Sequence, residues 1–198
     1  MQADTPPPVE TRDLTVGYGR AIVVDAVSVA FPPAAVTAII GPNGAGKTTL
    51  LLALMGLLPA RRGGARFFGE PLGRARRRLA FVPQREAVDW HFPVTVGDVV
   101  LMGRYPTKRL GRAPDGRDRA IAAEALAHVG MAAFADRQIG ALSGGQQQRV
   151  FIARALAQQA EVLLLDEPFT GIDAASQEAI YALLAELKAA GPTIILST

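Results

Sequence analysis

The chain has 198 residues, of which 49% are hydrophobic and 20% charged, so it can form one domain with a sizeable core, and its composition argues against wholesale disorder. It carries 21 Lys and Arg against 18 Asp and Glu, and the resulting charge of +3 is too small to indicate nucleic-acid binding by itself. The chain contains no cysteine, which excludes a disulfide scaffold, a cysteine-ligated zinc site and a cysteine nucleophile.

The first part of the chain has a strand-rich pattern that leads into a strand, a loop and a helix. Apolar residues in 9–31 have the spacing typical of strands, and Gly17 and Gly19 predict a turn within this segment. A short apolar run then enters a glycine-rich loop, and a helix is predicted from Lys47 to about Leu58. This order indicates a parallel α/β unit. The predicted strands are 14–16, 21–24, 27–31, 36–40, 66–68 and 79–82.

The middle of the chain has helical periodicity, and a second α/β series follows it. The glycine-, proline- and arginine-rich residues 104–116 predict a loop between two helices. The arginines at 74 and 76–78 lack interleaved aromatic residues and predict a solvated face, so no nucleic acid is expected as a partner. The predicted elements are helices over 96–102, 118–129, 145–158 and 174–189 and strands over 162–165 and 193–196.

Residues 41–48 match the spacing G-x-x-x-x-G-K-[ST] of a phosphate-binding loop, between a predicted strand and a predicted helix. Glycine lets backbone N–H groups curl around phosphate oxygens, and the helix N-terminus adds a favourable dipole. Lys47 is expected to reach the β- and γ-phosphates of ATP, and Thr48 to bind Mg²⁺. The expected ATP-binding residues of this loop are Gly41, Pro42, Asn43, Gly44, Ala45, Gly46, Lys47, Thr48 and Thr49.

The apolar residues 162–165 end in two carboxylates, Asp166 and Glu167. In a parallel sheet both would emerge at the carboxyl edge, where ligands bind. Asp166 suits Mg²⁺, usually through water, and Glu167 suits orienting or deprotonating an attacking water. By itself such a pair could equally cap a helix, but beside a phosphate-binding loop the catalytic interpretation is favoured.

Residues 142–146, Leu-Ser-Gly-Gly-Gln, precede another predicted helix. Considered alone, Ser143 would be a helix cap followed by glycine turn residues. With Gln-Gln-Arg at 147–149 and the Asp-Glu strand further on, the segment resembles the signature of the ATP-binding cassette (ABC) ATPases.

Other motifs of that family occur in the same order, and the resemblance covers nearly the whole chain. Tyr18 stands at the adenine-stacking position, although a turn tyrosine is also often part of the core. Gln84, in Val-Pro-Gln, stands at the Q-loop, and Asp173 lies in the loop after the second carboxylate.

The resemblance implies an α/β fold with a P-loop NTPase core, which is a mainly parallel sheet with flanking helices. It implies an N-terminal antiparallel β subdomain over 9–35 and an inserted helical subdomain over 85–144. The nucleotide-binding core would comprise 36–84 and 145–198, and the whole chain, 1–198, would be a single domain.

The resemblance also implies a head-to-tail dimer that holds two ATP molecules between its copies. Ser143, Gly144, Gly145 and Gln146 of one copy would contact the ATP held by the other, and Asp173 would also contribute to nucleotide binding. Lys47, Gln84 and Glu167 would be the catalytic residues. Thr48, Gln84 and Asp166 would bind Mg²⁺.

Residues 88–96 read Val-Asp-Trp-His-Phe-Pro-Val-Thr-Val, and Met-Gly-Arg-Tyr follows at 102–105. These two segments resemble the corresponding segments in the ATPases of manganese- and zinc-type metal importers. The resemblance implies an ATPase subunit on the cytoplasmic face of the cell membrane, with integral membrane permease subunits as partners and a solute-binding protein contacted indirectly. An iron-chelate importer ATPase and a non-transport ABC ATPase are the alternatives.

Trp90, Phe92 and Met102 are either core residues of the helical subdomain or, if exposed, part of a docking surface. His91 and His128 are expected to be surface or packing residues, and the histidines and carboxylates lack the spacing of a transition-metal site.

The predicted last strand ends at Ser197-Thr198, where the family next supplies a switch histidine. The resemblance therefore implies a cassette truncated at its C-terminus. A truncated cassette would leave the last strand near a raw sheet edge, and ATP binding with weak or absent hydrolysis is expected. A nucleotide-binding fragment without turnover is thus a further alternative.

Overall fold

The computed structural model describes residues 5–90, 92–108 and 112–198, so His91 and the middle of the predicted 104–116 loop lie outside the described residues. The strands are β1 (Val9–Tyr18), β2 (Ala21–Phe31), β3 (Val36–Ile39), β4 (Arg62–Arg66), β5 (Leu79–Val82), β6 (Val162–Leu165) and β7 (Thr193–Ser197). The α-helices are α1 (Lys47–Leu54), α2 (Leu72–Ala75), α3 (Val96–Leu101), α4 (Gly116–His128), α5 (Gly144–Ala157) and α6 (Ala174–Ala190). Short 3₁₀ helices cover Arg76–Arg78, Arg85–Ala87, Met102–Thr107, Ala132–Phe134 and Ile139–Ala141.

The chain divides into two compact units. The first unit contains the described residues up to Phe81 together with Glu161–Asp166 and Lys188–Thr198. The second unit contains Val82–Ala160 and Glu167–Leu187. The first unit holds both sheets, and the second is mainly helical.

In the first unit, β2, β1 and β4 form an antiparallel sheet in that order. The β1–β2 register shifts along the pair, and Asp13 and Ala26 take φ values of 46° and 48°. Such irregularities bend a strand without ending it. They explain why the sequence pattern indicates several short strands where the structure has two long ones.

Gly17 does not form the predicted turn. It lies in β1 opposite Ile22, and the chain reverses at Gly19 and Arg20. A Cβ on Gly17 would overlap the backbone carbonyl of Ala21, so the close approach of two strands requires glycine there.

The second sheet of the first unit has the order β3-β7-β6-β5, with β7 parallel to both β3 and β6. The last strand was predicted near a raw sheet edge; β7 itself is paired on both sides, and the edge strand beside it is β3. Ile194 and Ile195 are completely buried. An apolar run buried on both faces suits an interior strand of a parallel sheet, and a crossover connection lets a late strand enter between earlier ones.

Two element boundaries in the first unit differ from the sequence prediction. α1 ends at Leu54 instead of near Leu58, because Gly56 takes a left-handed φ of 66° that terminates helices. The strand predicted at 66–68 is β4, which ends at Arg66, and Phe67 forms only an isolated bridge to Glu70.

One hydrophobic core joins the two sheets and α1 of the first unit. Its members are buried apolar side chains from β1, β2, α1, β6 and β7 and from the segments around them. They include Val9, Leu14, Val16, Val24, Phe31, Leu50, Leu51, Leu54, Phe67, Leu79, Val162, Leu164 and Ile195. The residues that start α1 are thus fixed on a rigid support.

In the second unit, several helices begin with a reciprocal pair of hydrogen bonds between the cap residue and the third helical residue. The pairs are Thr95 with Asp98 before α3, Asp115 with Asp118 before α4 and Ser143 with Gln146 before α5.

Arg104 does not lie in a loop, as the sequence predicts, but within the 3₁₀ helix Met102–Thr107. Its side chain is buried, with Nε 3.0 Å from Asp118 Oδ1 and Nη1 2.6 Å from the carbonyl of Ala157. Arg104 thereby joins the 3₁₀ helix to the start of α4 and the end of α5. A composition rich in Gly, Pro and Arg cannot reveal this ion pair, because its partners lie elsewhere in the chain.

Trp90, Phe92 and Met102 were expected either in the core or on a docking surface, and the structure separates Trp90 from the other two. Trp90 packs edge-on against Phe151, with ring centroids 5.2 Å apart. Phe92 and Met102 are 59% and 40% exposed. Within the described ranges, the helices are too short or too polar to cross a membrane.

Candidate nucleotide-binding site

The loop at 41–46 has a backbone shape that only glycine adopts easily at two points. Gly44 and Gly46 have φ values of 84° and 93°. A Cβ on Gly44 would meet no described atom within 4 Å, whereas one on Gly46 would lie 3.0 Å from a methyl group of Val23. The conformation requires glycine at both positions, and packing adds a second requirement at Gly46.

The helix that follows this loop has an N-terminus suited to an anion. Gly46 is the N-cap of α1, and among the described residues no side chain caps this helix. First-turn N–H groups and the helix dipole therefore favour a negatively charged ligand at this end. Pro42, Asn43 and Ala45 lie in the loop itself, and the amide of Ala45 bonds to the carbonyl of Pro42.

Lys47 is buried at the first helical position, and its ammonium group is held across the loop. Nζ donates to the carbonyl of Gly41 at 2.7 Å and to that of Pro42 at 3.3 Å. The charge is thereby held at the loop predicted to bind phosphate. Thr49, also predicted to bind ATP, has a buried side chain on α1.

Thr48 and Asp166 are adjacent, although 118 residues separate them in sequence. Thr48 Oγ1 donates a 3.0 Å hydrogen bond to Asp166 Oδ1. Ser197 Oγ donates to the same oxygen at 2.6 Å, and Asp166 and Ser197 are both buried. The carboxyl ends of β6 and β7 and the start of α1 thus place two hydroxyls on one carboxylate. Hydroxyl and carboxylate oxygens are the ligands that Mg²⁺ prefers, so these residues fit the predicted magnesium site.

Tyr18 lies at the end of β1 and is 51% exposed. That exposure does not fit a core residue and leaves the ring accessible for stacking.

In the second unit, Gln84 and Glu167 are in contact. Gln84 Nε2 donates to Glu167 Oε2 at 3.2 Å, and Thr170 Oγ1 donates to the same oxygen at 3.2 Å. Glu167 itself has a φ of 45°, which is uncommon for a residue with a side chain. The predicted catalytic carboxylate therefore stands in a tight turn with two donors on one oxygen.

Asp173 ends this turn at the start of α6. The amide and hydroxyl of Ser176 donate to its two carboxylate oxygens at 2.9 Å and 2.8 Å. These hydrogen bonds favour the charged form and hold the pKa of Asp173 below its ordinary value. Asp173 is thus an ionised cap at the start of α6.

Residues 143–146 form the N-terminus of α5 and pack against the same turn. Ser143 Oγ accepts from the amide of Gln146 at 3.4 Å, and Gln146 Oε1 accepts from the amide of Ser143 at 2.9 Å. A Cβ on Gly145 would overlap Ser176, and one on Gly144 would lie 3.4 Å from the carbonyl of Gly171. The structure therefore contains the helix cap that Ser143, considered alone, predicts. Close packing also explains why the next two residues are glycines.

The predicted site residues thus fall into two groups, one in each unit. The first unit brings together the loop at 41–49 and Asp166, and the second brings together Gln84, the 143–146 segment, Glu167 and Asp173. Ser197 and Thr170 were not predicted from the sequence. The available signal is a hydroxyl residue at the end of a strand for Ser197, and one within the turn that follows a candidate base for Thr170. Arg85, whose Nε donates to Gln147 Oε1 at 3.0 Å, was not predicted either.

Comparison with known proteins gives consistent matches. The family described as "ABC transporter" matches residues 24–170. The zinc transport system ATP-binding protein TroB of Treponema pallidum is 55% identical over 188 residues, which cover 95% of this chain and 71% of TroB. The manganese transport system ATP-binding protein MntB of Bacillus subtilis is 48% identical over 189 residues, which cover 96% of this chain and 76% of MntB. The crystal structure of a nucleotide-free ATP-binding cassette from an ABC transporter superposes with a TM-score of 0.84 at 27% identity, covering 96% of this chain and 80% of that one.

Proposed function

This chain belongs to the ABC transporter family, and we propose that it is the ATP-binding and hydrolysing subunit of an importer for a divalent metal ion of the manganese or zinc type. The substrate class is supported by relatives named for zinc and manganese transport and by the phrase at 88–96 that resembles such ATPases.

The observation that carries the ATPase assignment is the hydrogen bond between Thr48 and Asp166. It joins the two motifs that P-loop ATPases use for a nucleotide and its metal ion. In the proposal, backbone N–H groups of 41–46 and the Lys47 ammonium group hold the phosphates of ATP. Thr48 and Asp166 hold Mg²⁺. When bound, Mg²⁺ supplies positive charge that offsets the charge developing on the phosphate oxygens.

Glu167 is proposed to accept a proton from the water that attacks the γ-phosphate, and Gln84 to hold that carboxylate in place. The contact between Gln84 Nε2 and Glu167 Oε2 supports this pairing. A general base must have a defined orientation as well as an available lone pair, and two donors on one oxygen provide that orientation.

ATP is proposed to bring two copies together head to tail, with Ser143, Gly144, Gly145 and Gln146 of one copy and Asp173 next to the ATP of the other. The N-terminus of α5, which begins with Gly144 and Gly145, would act as a second phosphate cradle. Release of the γ-phosphate would then weaken the dimer, which is a population shift driven by the ligand.

The second unit is proposed to contact integral membrane permease subunits, with the ATPase on the cytoplasmic face of the cell membrane. A solute-binding protein would be reached only through the permease. Phe92 and Met102 support this assignment, because they are large apolar side chains exposed on the segment that resembles metal importers. Tyr18 is proposed to stack on adenine, since its ring is half exposed at a strand end.

The Glu167→Gln variant tests the proposed base. It should bind ATP with the affinity of the unaltered chain, hydrolyse at least about a hundredfold more slowly and accumulate as an ATP-bound dimer, because general-base catalysis contributes factors of this size. Phosphate release and size-exclusion chromatography with ATP measure the two effects. Glu178→Gln removes an exposed carboxylate from α6 and serves as the matched control. Hydrolysis at the unaltered rate by Glu167→Gln would show that Glu167 is not the base.

The substrate class is tested by purifying the chain with its permease in vesicles and measuring ATP-dependent uptake of Mn²⁺, Zn²⁺ and an iron chelate. Uptake of one of the two free metal ions supports the proposal. Uptake of the chelate alone contradicts it.

A further inference from the structure

The turn that follows Glu167 contains a hydroxyl side chain aimed at the proposed catalytic carboxylate. Thr170 Oγ1 donates to Glu167 Oε2 at 3.2 Å. The backbone amide of Thr170 also donates to the carbonyl of Glu167 at 3.2 Å. One residue therefore contacts both the side chain and the backbone of Glu167.

This double contact matters because the backbone of Glu167 is strained. Its φ of 45° lies in the left-handed region, where a residue with a Cβ is held only by surrounding interactions. The Thr170 amide closes the turn over this conformation. The Thr170 hydroxyl then fixes the direction of the carboxylate that the strained backbone presents.

The turn is itself anchored to α6 on both sides of Thr170. Gln177 Nε2 donates to the carbonyl of Phe169 at 3.1 Å and to that of Ile172 at 3.4 Å. The rings of Phe169 and Tyr181 stack with centroids 4.2 Å apart and planes inclined by 20°. Thr170 thus belongs to a backbone segment held at both ends, so its hydroxyl has a defined position relative to Glu167.

We propose that Thr170 is a positioning residue for hydrolysis, whose hydroxyl orients the Glu167 carboxylate together with Gln84. This inference rests on the proposed function, in which Glu167 is the base. Oε2 accepts from both Gln84 and Thr170, and the two donors limit rotation of the carboxylate group. Removing one of them should leave nucleotide binding intact and lower the rate of the chemical step.

The test compares Thr170→Val, which keeps the shape and removes the hydroxyl, with Thr170→Ser, which keeps the hydroxyl. Because Thr170 is exposed, neither change opens a cavity. Phosphate release by the full chain should show kcat lowered about tenfold in Thr170→Val with the KM for ATP unchanged, as expected for a hydrogen bond to a charged group. Thr170→Ser should stay within about twofold of the unaltered kcat.

Thr107→Val is the matched control, because Thr107 in the same unit donates its hydroxyl to the carbonyl of Arg104 at 2.7 Å. It should leave kcat unchanged. An unchanged kcat in Thr170→Val, or an equal loss in Thr170→Val and Thr170→Ser, would overturn the inference. Full activity in Glu167→Gln would instead refute the proposed base. The two failures are distinguishable, because one is measured in the Glu167 variant and the other in the Thr170 variants.

Discussion

Gly145 shows how a single position can serve packing as well as a sequence motif. Its Cα lies so close to Ser176 that a Cβ would overlap both the Cβ and the Oγ of that serine. Ser176 in turn bonds to Asp173. The second signature glycine therefore lets the start of α5 pack directly on the cap of α6.

Gly145→Ala is expected to destabilise the protein by about 1–3 kcal/mol, the usual cost of an overpacked site. It should also reduce ATP hydrolysis, because Asp173 and the turn that carries Glu167 must shift. Urea unfolding and phosphate release measure the two effects. Gly116→Ala places the same methyl at the start of another helix, α4, where it would meet no described atom within 4 Å, and it should change neither. Equal behaviour of the two variants would contradict the packing argument.

The sequence predicted the local context of the candidate site residues whose motifs depend on spacing. The loop at 41–48 and the Asp166-Glu167 pair have the expected local context of strand, loop and helix. Ser197 and Thr170 could not be assigned, since a hydroxyl residue has many possible partners. Asp166 and Ser197 are brought together only by the pairing of β6 with β7.

At the scale of elements, a buried group of charges fastens the 3₁₀ helix Met102–Thr107 to α4. Asp118 forms ion pairs with Arg104 and Lys108, and its Oδ2 accepts from the amide of Asp115. The hydrogen bond from Lys108, with help from Asp115 and Arg104, lowers the pKa of Asp118 despite its burial. The negative charge of Asp118 is therefore part of the folded state.

This arrangement predicts a definite pH dependence. A carboxyl whose pKa is lowered by folding stabilises the protein above its unfolded pKa of about 3.9, and that contribution is lost as the pH falls toward the folded pKa. Asp118→Asn should lower the free energy of unfolding at pH 7, and its difference from the unaltered chain should shrink below about pH 4. Urea titrations between pH 7 and pH 3 measure this. Asp136→Asn changes an exposed carboxylate of the same unit and should follow the unaltered curve. A difference for Asp118→Asn that stays constant with pH would contradict this account.

Element types were predicted well where the apolar pattern was clear, as for α5 with its helical period and β6 with its continuous apolar run. They were predicted poorly where glycine or arginine had an unexpected role. Gly17 allows two strands to approach, and Arg104 is buried by partners that are distant in sequence. Composition alone predicts a turn and a loop at these positions, because it contains no information about tertiary contacts.

At the scale of the whole molecule, the predicted α/β fold and the predicted membership of the ABC family are both confirmed. The order of the strands could not be predicted from the sequence pattern. β7, which comes last in sequence, separates β3 from β6 and supplies completely buried side chains to the parallel sheet.

The interior position of β7 predicts a large effect of a truncated side chain. Ile195→Ala should lower the free energy of unfolding by about 2–5 kcal/mol, because it leaves a cavity in the hydrophobic core. Ile22→Ala removes the same atoms from a side chain that is 55% exposed and should cost about 0.5 kcal/mol or less. Urea unfolding of both variants gives the comparison. Similar losses would contradict the burial of β7.

The strand order also bears on how the protein is made. β3 carries the phosphate loop on its carboxyl end, yet its hydrogen-bonding neighbour in the parallel sheet is β7, and Ala34 bonds to Thr193 across 159 residues of chain. Synthesis from the N-terminus therefore delivers the loop long before the ribosome delivers the strand that supports it. Contacts this distant in sequence close slowly, and the backbone edge of β3 that pairs with β7 stays uncovered in the nascent chain. We expect the nucleotide site to form only after β7 has been synthesised, and chaperones to protect the uncovered strand until then.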